Sequence, residues 1–159
     1  MGFLHINKSN HLNLVPKLNK AINRPNTHVF ILYHMQGCMP CLQTIPEWKK
    51  IQNLLRTDNN TLVVDIDKDY TAGIKNMGSP LNGFPTIRYM TNQGAVIENY
   101  EDSNIAPKDR TIDSFMEWIK SKNGNKPKMI TRRIRRASRI RRTRNNNKIN
   151  KQLKSRKHR

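Results

Sequence analysis

Cys38-Met39-Pro40-Cys41 holds both cysteines of this 159-residue chain. Two thiols three positions apart can exchange disulfides, supply half of a metal site, or sit inert in a core. Their flanks favour exchange. A continuous β-prone run, Thr27 to His34, precedes the pair, and an amphipathic stretch, Leu42 to Leu55, follows it. A cysteine at that junction opens a helix, where unpaired N–H groups and the helix dipole favour negative charge. The thiolate is stabilised there, and the attacking form becomes populated near neutral pH. Cys41, a turn along, is placed to attack the resulting mixed disulfide and release the product. Pro40 suits a first helical turn, where its missing N–H costs nothing. Zinc shared between two chains and an inert buried pair stay open as alternatives. Against a zinc site within the chain, there is no second cysteine pair, and His5, His11, His28, His34 and His158 show no ligand spacing beside this one.

The elements that must position the pair can be read from apolar spacing. Ser9 or Asn10 caps a helix with Leu12, Val15, Leu18 and Ile22 on one face; Pro16 distorts it and Arg24-Pro25-Asn26 ends it. The helix after the cysteines places Ile45, Trp48, Ile51, Leu54 and Leu55 together. Asp58-Asn59-Asn60 turns into a strand over Thr61–Asp67, and Tyr70 to Met77 reads as a short helix stopped by Gly78-Ser79-Pro80. Strands Thr86–Met90 and Ala95–Tyr100 flank the hairpin signal Asn92-Gln93-Gly94. A last helix over Asp109–Lys122 turns Ile112, Phe115, Met116 and Ile119 inward. With a strand ahead of the first helix, the order is strand, helix, strand, helix, strand, helix, strand, strand, helix. Parallel β-α-β units followed by a hairpin predict an α/β fold with a mixed central sheet covered by helices. Trp48 and Trp118 are read as core. Asp65, Asp67 and Asp69 alternate as a cation site would, but solvation or pairing with Lys68 and Lys75 is the favoured reading.

Gly83-Phe84-Pro85-Thr86, at the start of the fourth strand, brings a family into view. Together with the cysteine pair, the sequence here resembles the thioredoxin and protein disulfide isomerase family. The resemblance implies a thioredoxin-like fold over residues 1–124, with a proline in cis packed beside a redox-active Cys38–Cys41 disulfide. It implies further that the backbone of Phe84, Pro85 and Thr86 pairs with the substrate chain like an added strand. Pro46, Val64-Asp65-Ile66-Asp67, Tyr100 and the stretch from Arg110 to Ile119 are similar to the family in the same order. The implied partners are protein thiols and disulfides, with no metal and no cofactor beyond the disulfide. Three departures bear on catalysis. Gly37 stands where the family has Trp, Leu32 where it has a buried acid, and Val63 where a lysine often accompanies that acid. Since the acid moves protons to and from the resolving cysteine, His34 is a candidate substitute carrier, on the same strand face as Leu32.

Composition divides the chain. Residues 1–126 carry 15 Lys/Arg and all 11 Asp/Glu, whereas residues 127–159 carry 15 Lys/Arg and no acid. The boundary is placed at 124/125, ahead of a tail with too little apolar surface to offset chain entropy, expected to be disordered until it meets a partner. Arg132, Arg133, Arg135, Arg136, Arg139, Arg141, Arg142 and Arg144 form its densest block. Such a segment attracts polyphosphate, so nucleic acid is the first-ranked partner; no interleaved aromatic residue offers base stacking. Nuclear import, an anionic membrane surface and an acidic protein are the alternatives, and Arg135-Arg136-Ala137-Ser138 has the form of a basic-directed kinase site. Tails of this kind on proteins of this family resemble those encoded by large DNA viruses, which implies a virion component. No apolar run approaches the length that spans a bilayer. The first residues lack the pattern of a secretory signal, and Gly2 is followed by Ile6 where a myristoylation signal has Ser or Thr. The expected compartment is therefore intracellular, cytoplasm or nucleus. Two functions follow: a thiol–disulfide oxidoreductase tethered by its tail, or a non-catalytic scaffold whose tail does the binding.

Overall fold

The apolar run Val29 to Tyr33 is buried along its whole length, which requires cover on both faces of the strand it forms. A computed structural model, describing residues 2–55 and 60–124, supplies that cover. Strands β1 (Phe3–Ile6), β2 (His28–His34), β3 (Thr61–Asp67), β4 (Thr86–Thr91) and β5 (Val96–Asn99) form one sheet in the order β1-β3-β2-β4-β5. β3 is parallel to both β1 and β2, while β4 is antiparallel to β2 and β5 to β4. Helices α1 (His11–Ile22), α2 (Met39–Leu54) and α3 (Ile112–Lys122) complete the described α-helices. This is a thioredoxin-like mixed sheet flanked by helices.

Strand alternation sorts the core into two layers. Val29, Ile31 and Tyr33 join Val64, Ile66 and the Val15, Leu18 and Ile22 side chains of α1. Phe30 and Leu32 join Val63, Ile87, Tyr89 and the Trp48, Ile51, Phe115, Trp118 and Ile119 side chains of α2 and α3. Aromatic edges lock the second layer: Trp118 meets Phe30 with ring centroids 5.1 Å apart, and Trp48 meets Phe115 at 5.0 Å. Both tryptophans are core, as read.

Several expectations about elements need correction. Leu12 and Leu54, assigned to inner faces, are 79% and 56% exposed. The helix over Tyr70–Met77 is instead a 3-10 turn over Lys68–Gly73. Asn19 of α1 explains the stop: its amide nitrogen donates to the Gly73 carbonyl (2.8 Å) and its oxygen accepts the Lys75 N–H (2.9 Å). Asn76, with φ 58°, then turns the chain away from helix. β5 ends at Asn99, and Tyr100 belongs to a 3-10 turn. α3 starts at Ile112 rather than Asp109 because Thr111 caps it, accepting the Ser114 N–H. The arginine block from Arg132 to Arg144 lies outside the described residues.

Glu47, midway along α2, ties that helix to the start of α3: its Oε2 accepts the Ile112 N–H at 3.0 Å. Hydrogen bonding to Lys50, and then to Ile112, holds the Glu47 carboxyl below its ordinary 4.5. A carboxyl depressed by folding contributes stability above its unfolded value and loses it as pH falls through the folded one. Glu47→Gln is therefore expected to flatten the acid limb of the stability profile below about pH 4.5, read from unfolding midpoints at successive pH values.

Candidate active site

The site begins with a glycine. Gly37 has φ +73°, a backbone conformation that a side-chain-bearing residue adopts only with strain. Cys38 follows as the N-cap of α2, with φ −84° and ψ 108°, and its Sγ accepts the Cys41 N–H at 3.2 Å. α2 thus starts at Met39, with Cys38 at its opening as the sequence reading placed it. Pro40 occupies the first turn, which carries no acid, so the positive end of the helix dipole is not offset there. Pro46, inside the same helix, lacks the N–H of a helical hydrogen bond.

Cys38 and Cys41 are joined as a disulfide, with Cα atoms 5.2 Å apart. Both are buried, Cys41 to 1% exposure. Met39 and Leu42 stand out beside them, 65% and 57% exposed, as apolar surface around the sulfurs. Across from the pair, the Phe84–Pro85 peptide is cis, and the Phe84 carbonyl oxygen lies 3.5 Å from Cys38 Sγ. Thr86 Oγ1 donates to the Gly83 carbonyl at 2.6 Å. β5 pairs with Arg88–Thr91 and so stops short of the Phe84–Thr86 segment. Buried Arg88 holds the loop leading into it: Nη1 donates to the Met77 (2.6 Å) and Ser79 (2.9 Å) carbonyls, and Nε to Asn99 Oδ1 (3.1 Å).

The structure therefore brings together Cys38, Cys41, Phe84 and Pro85, which are far apart in the sequence. The comparisons with known proteins can be set beside this geometry. No family model matches the chain. A protein disulfide-isomerase of Datisca glomerata is 25% identical to it over 124 residues, which cover 76% of this chain and 22% of that protein. The chain thus spans about a fifth of the length of that relative. Of solved structures, the Trx4 domain of ERdj5 aligns with a TM-score of 0.53 at 13% identity, covering 79% of this chain and 99% of that one. The chain has a thioredoxin-like fold. The J-Trx1 fragment of ERdj5 aligns at a TM-score of 0.50 and 14% identity, over 76% of this chain and 51% of that one.

Within this thioredoxin-like domain, sequence reasoning missed one group. Asp65, expected to be solvated or paired with lysines, is fully buried. Its Oδ2 is 2.5 Å from His5 Nδ1 and 3.6 Å from His34 Nε2. For Asp69 the reading holds, since Lys68 pairs with it at 3.3 Å, and Asp67 accepts the Asp69 N–H as the cap of the 3-10 turn. The register pairs Asp65 with Leu32 on β2 and with His5 on β1. Asp65 is thus a buried acid one strand over from Leu32. Among the described residues, no cluster of His, Cys, Asp or Glu is arranged to hold a metal.

Proposed function

We propose that this chain is a thiol–disulfide oxidoreductase in which Cys38 is the nucleophile and Cys41 the resolving thiol. The observation that carries it is the placement of Cys38 Sγ at the N-cap of α2, bonded by the Cys41 N–H and facing the Phe84 carbonyl. In the reduced form, the Cys38 thiolate attacks one sulfur of a substrate disulfide and the other substrate sulfur leaves as thiolate. Cys41, deprotonated, then attacks Cys38 Sγ. The Cys38–Cys41 disulfide closes and the second substrate thiolate departs, so two electrons have passed to substrate. Read backwards, the same steps oxidise a dithiol. The relative stability of the two forms against the surrounding redox poise sets the direction. Phe84, Pro85 and Thr86 would pair with the substrate backbone beyond the end of β5, and exposed Met39 and Leu42 would contact its side chains.

Trapping tests this reading. Cys41→Ser, reduced and mixed with a disulfide-bonded model peptide, is expected to accumulate a covalent adduct on a non-reducing gel that thiol reductant dissolves. Absence of any adduct, with no reduction of the peptide by the wild-type chain, would end it. Leu32 and Gly37 favour a second reading, in which the fold is a non-catalytic scaffold; those same two results would support it.

The tail, residues 125–159, is proposed to tether the domain to nucleic acid or another polyanion. Its 15 Lys/Arg without an acid from residue 127 onward support this. If half of them met phosphates, the log–log salt slope of binding would be roughly −6 to −7. Truncation after Lys126 should abolish salt-sensitive retention on DNA, and unchanged retention would refute the assignment.

A further inference from the structure

The charges of the folded domain are unevenly placed. Glu47 is its first acid, and residues 1–46 carry Lys8, Lys17, Lys20 and Arg24 with no Asp or Glu. Residues 98–117 hold six of the chain's 11 acids, against Lys108 and Arg110. We propose that Lys17, Lys20, Arg24 and Lys75 form a phosphate-binding face on the domain itself, which takes the backbone of a nucleic acid. The choice of nucleic acid rests on the reading of the tail above; the place of the face on α1 does not.

α1 turns Val15, Leu18, Ala21 and Ile22 into the core, which leaves Lys17 and Lys20, three positions apart, together on its outer side. Arg24 follows the end of the helix, and all three are exposed. They line one groove with Leu4, Ala21 and Leu62. Lys20 also borders a second groove, which it shares with exposed Lys75. The Lys75 backbone N–H donates to Asn19 Oδ1 at 2.9 Å, which fixes that residue beside α1. The four cations thus stand along two grooves that meet at Lys20.

What singles them out is the lack of a counter-charge. Elsewhere in the domain, Lys122 pairs with Glu98, Arg110 with Glu101, Lys50 with Glu47 and Lys68 with Asp69. Arg88 and Lys108 donate to backbone carbonyls. Among the described residues, no carboxylate pairs with Lys17, Lys20, Arg24 or Lys75. Asp69 lines the groove of Lys20 and Lys75, but Lys68 engages it at 3.3 Å. The dipole of α1 favours a cation in its last turn, which accounts for Lys20 alone. A row of exposed cations without acids attracts a polyanion, and phosphates that neutralise it release condensed counterions. Lys49 on α2 and Lys120 on α3 also lack an ion pair, but neither lines these grooves.

The face lies away from the sulfurs. α1 covers one layer of the core, while α2 and α3 cover the other. A nucleic acid on α1 therefore leaves Cys38, at the start of α2, open to its substrate. A tail alone would hold the domain near the polymer in any orientation; the face on α1 sets which side meets it.

Binding of the full-length chain to a short DNA duplex, measured over a series of salt concentrations, tests this. Replacing the four cations together, by Lys17→Gln, Lys20→Gln, Arg24→Gln and Lys75→Gln, is expected to make the log–log salt slope shallower by roughly 3 to 4, since each phosphate contact contributes about −0.9. The unfolding midpoint is expected not to move. The charge-keeping set Lys17→Arg, Lys20→Arg, Arg24→Lys and Lys75→Arg is expected to retain the wild-type slope. Lys49→Gln with Lys120→Gln, the control for net charge alone, is expected to leave it unchanged. A wild-type slope in the fourfold Gln variant overturns the face, as does an equal loss per charge in the control. A loss seen on polyglutamate but not on duplex also overturns it, by marking an acidic protein as the partner. Truncation after Lys126 bears on the other reading: if it leaves the binding undiminished while the four cations still set the slope, the tail assignment fails and the face stands.

Discussion

Cys38→Ser is expected to bring the reduction of a test disulfide down to the rate of buffer alone. The effect is total because no other group can replace the missing sulfur. Cys41 is the one remaining thiol of the chain, and it lies within the helix at 1% exposure, where an incoming disulfide does not reach it. A serine hydroxyl at the N-cap would still accept the Cys41 N–H, since serine is a favoured cap, so the local backbone is expected to survive. Little stability should be lost with the disulfide, because closing so short a loop constrains the unfolded chain only slightly. An unchanged circular dichroism spectrum together with abolished turnover is the expected pair of results. Turnover above background would place the chemistry elsewhere.

Trp48→Ala is expected to cost about 3–5 kcal/mol, the range for truncating a fully buried aromatic side chain. That is a large part of the roughly 5–15 kcal/mol that holds a small domain folded. Trp48 does three things at once. It fills the space between α2 and the sheet, meets Phe115 edge to face, and donates its indole N–H to the Val64 carbonyl at 3.1 Å. The last contact ties the helix that begins at the cysteines to β3. Loss of the ring leaves a void, and the freed carbonyl adds to the cost. Trp48→Phe keeps most of the apolar volume and should lose much less. Denaturant unfolding of the two variants checks the ranking; equal losses would show that the hydrogen bond, not the packing, dominates.

What the sequence revealed and what it hid have a common physical basis. The cysteine pair and its helix-opening position were legible because each is marked by local chemistry: a spacing, a proline, a change of apolar period; the Phe84-Pro85-Thr86 segment was singled out only by the family resemblance. Val29 to Tyr33 was legible as a strand covered on both faces because an unbroken apolar run has no other economical place. Asp65 was not. An acid near a strand end reads as solvated, and its burial depends on β1, whose residues the sequence had not delimited. The histidine that pairs with it, His5, is 60 positions away, and nothing in the spacing announces that β1 lies next to β3. A usable signal was present, since Asp65 shares the parity of Val63 in a strand of inward-facing residues. The helix expected over Tyr70–Met77 failed for a similar reason, because Asn19 on a different element takes the backbone groups that would have continued it. Leu12 and Leu54 show the reverse error, in which helical spacing was extended to a residue at the first or last turn that the sheet does not reach.

The claim on which the rest depends is that Cys38 and Cys41 pass electrons to other sulfurs. The most direct measurement is stoichiometric. The fully reduced chain, freed of reductant, is mixed with a disulfide-bonded model peptide, and thiols are counted on both partners as the reaction proceeds. The account predicts that the chain loses both thiols as Cys38–Cys41 closes, while the peptide gains two in step. A peptide that stays oxidised beside a chain whose two cysteines remain free thiols would contradict it.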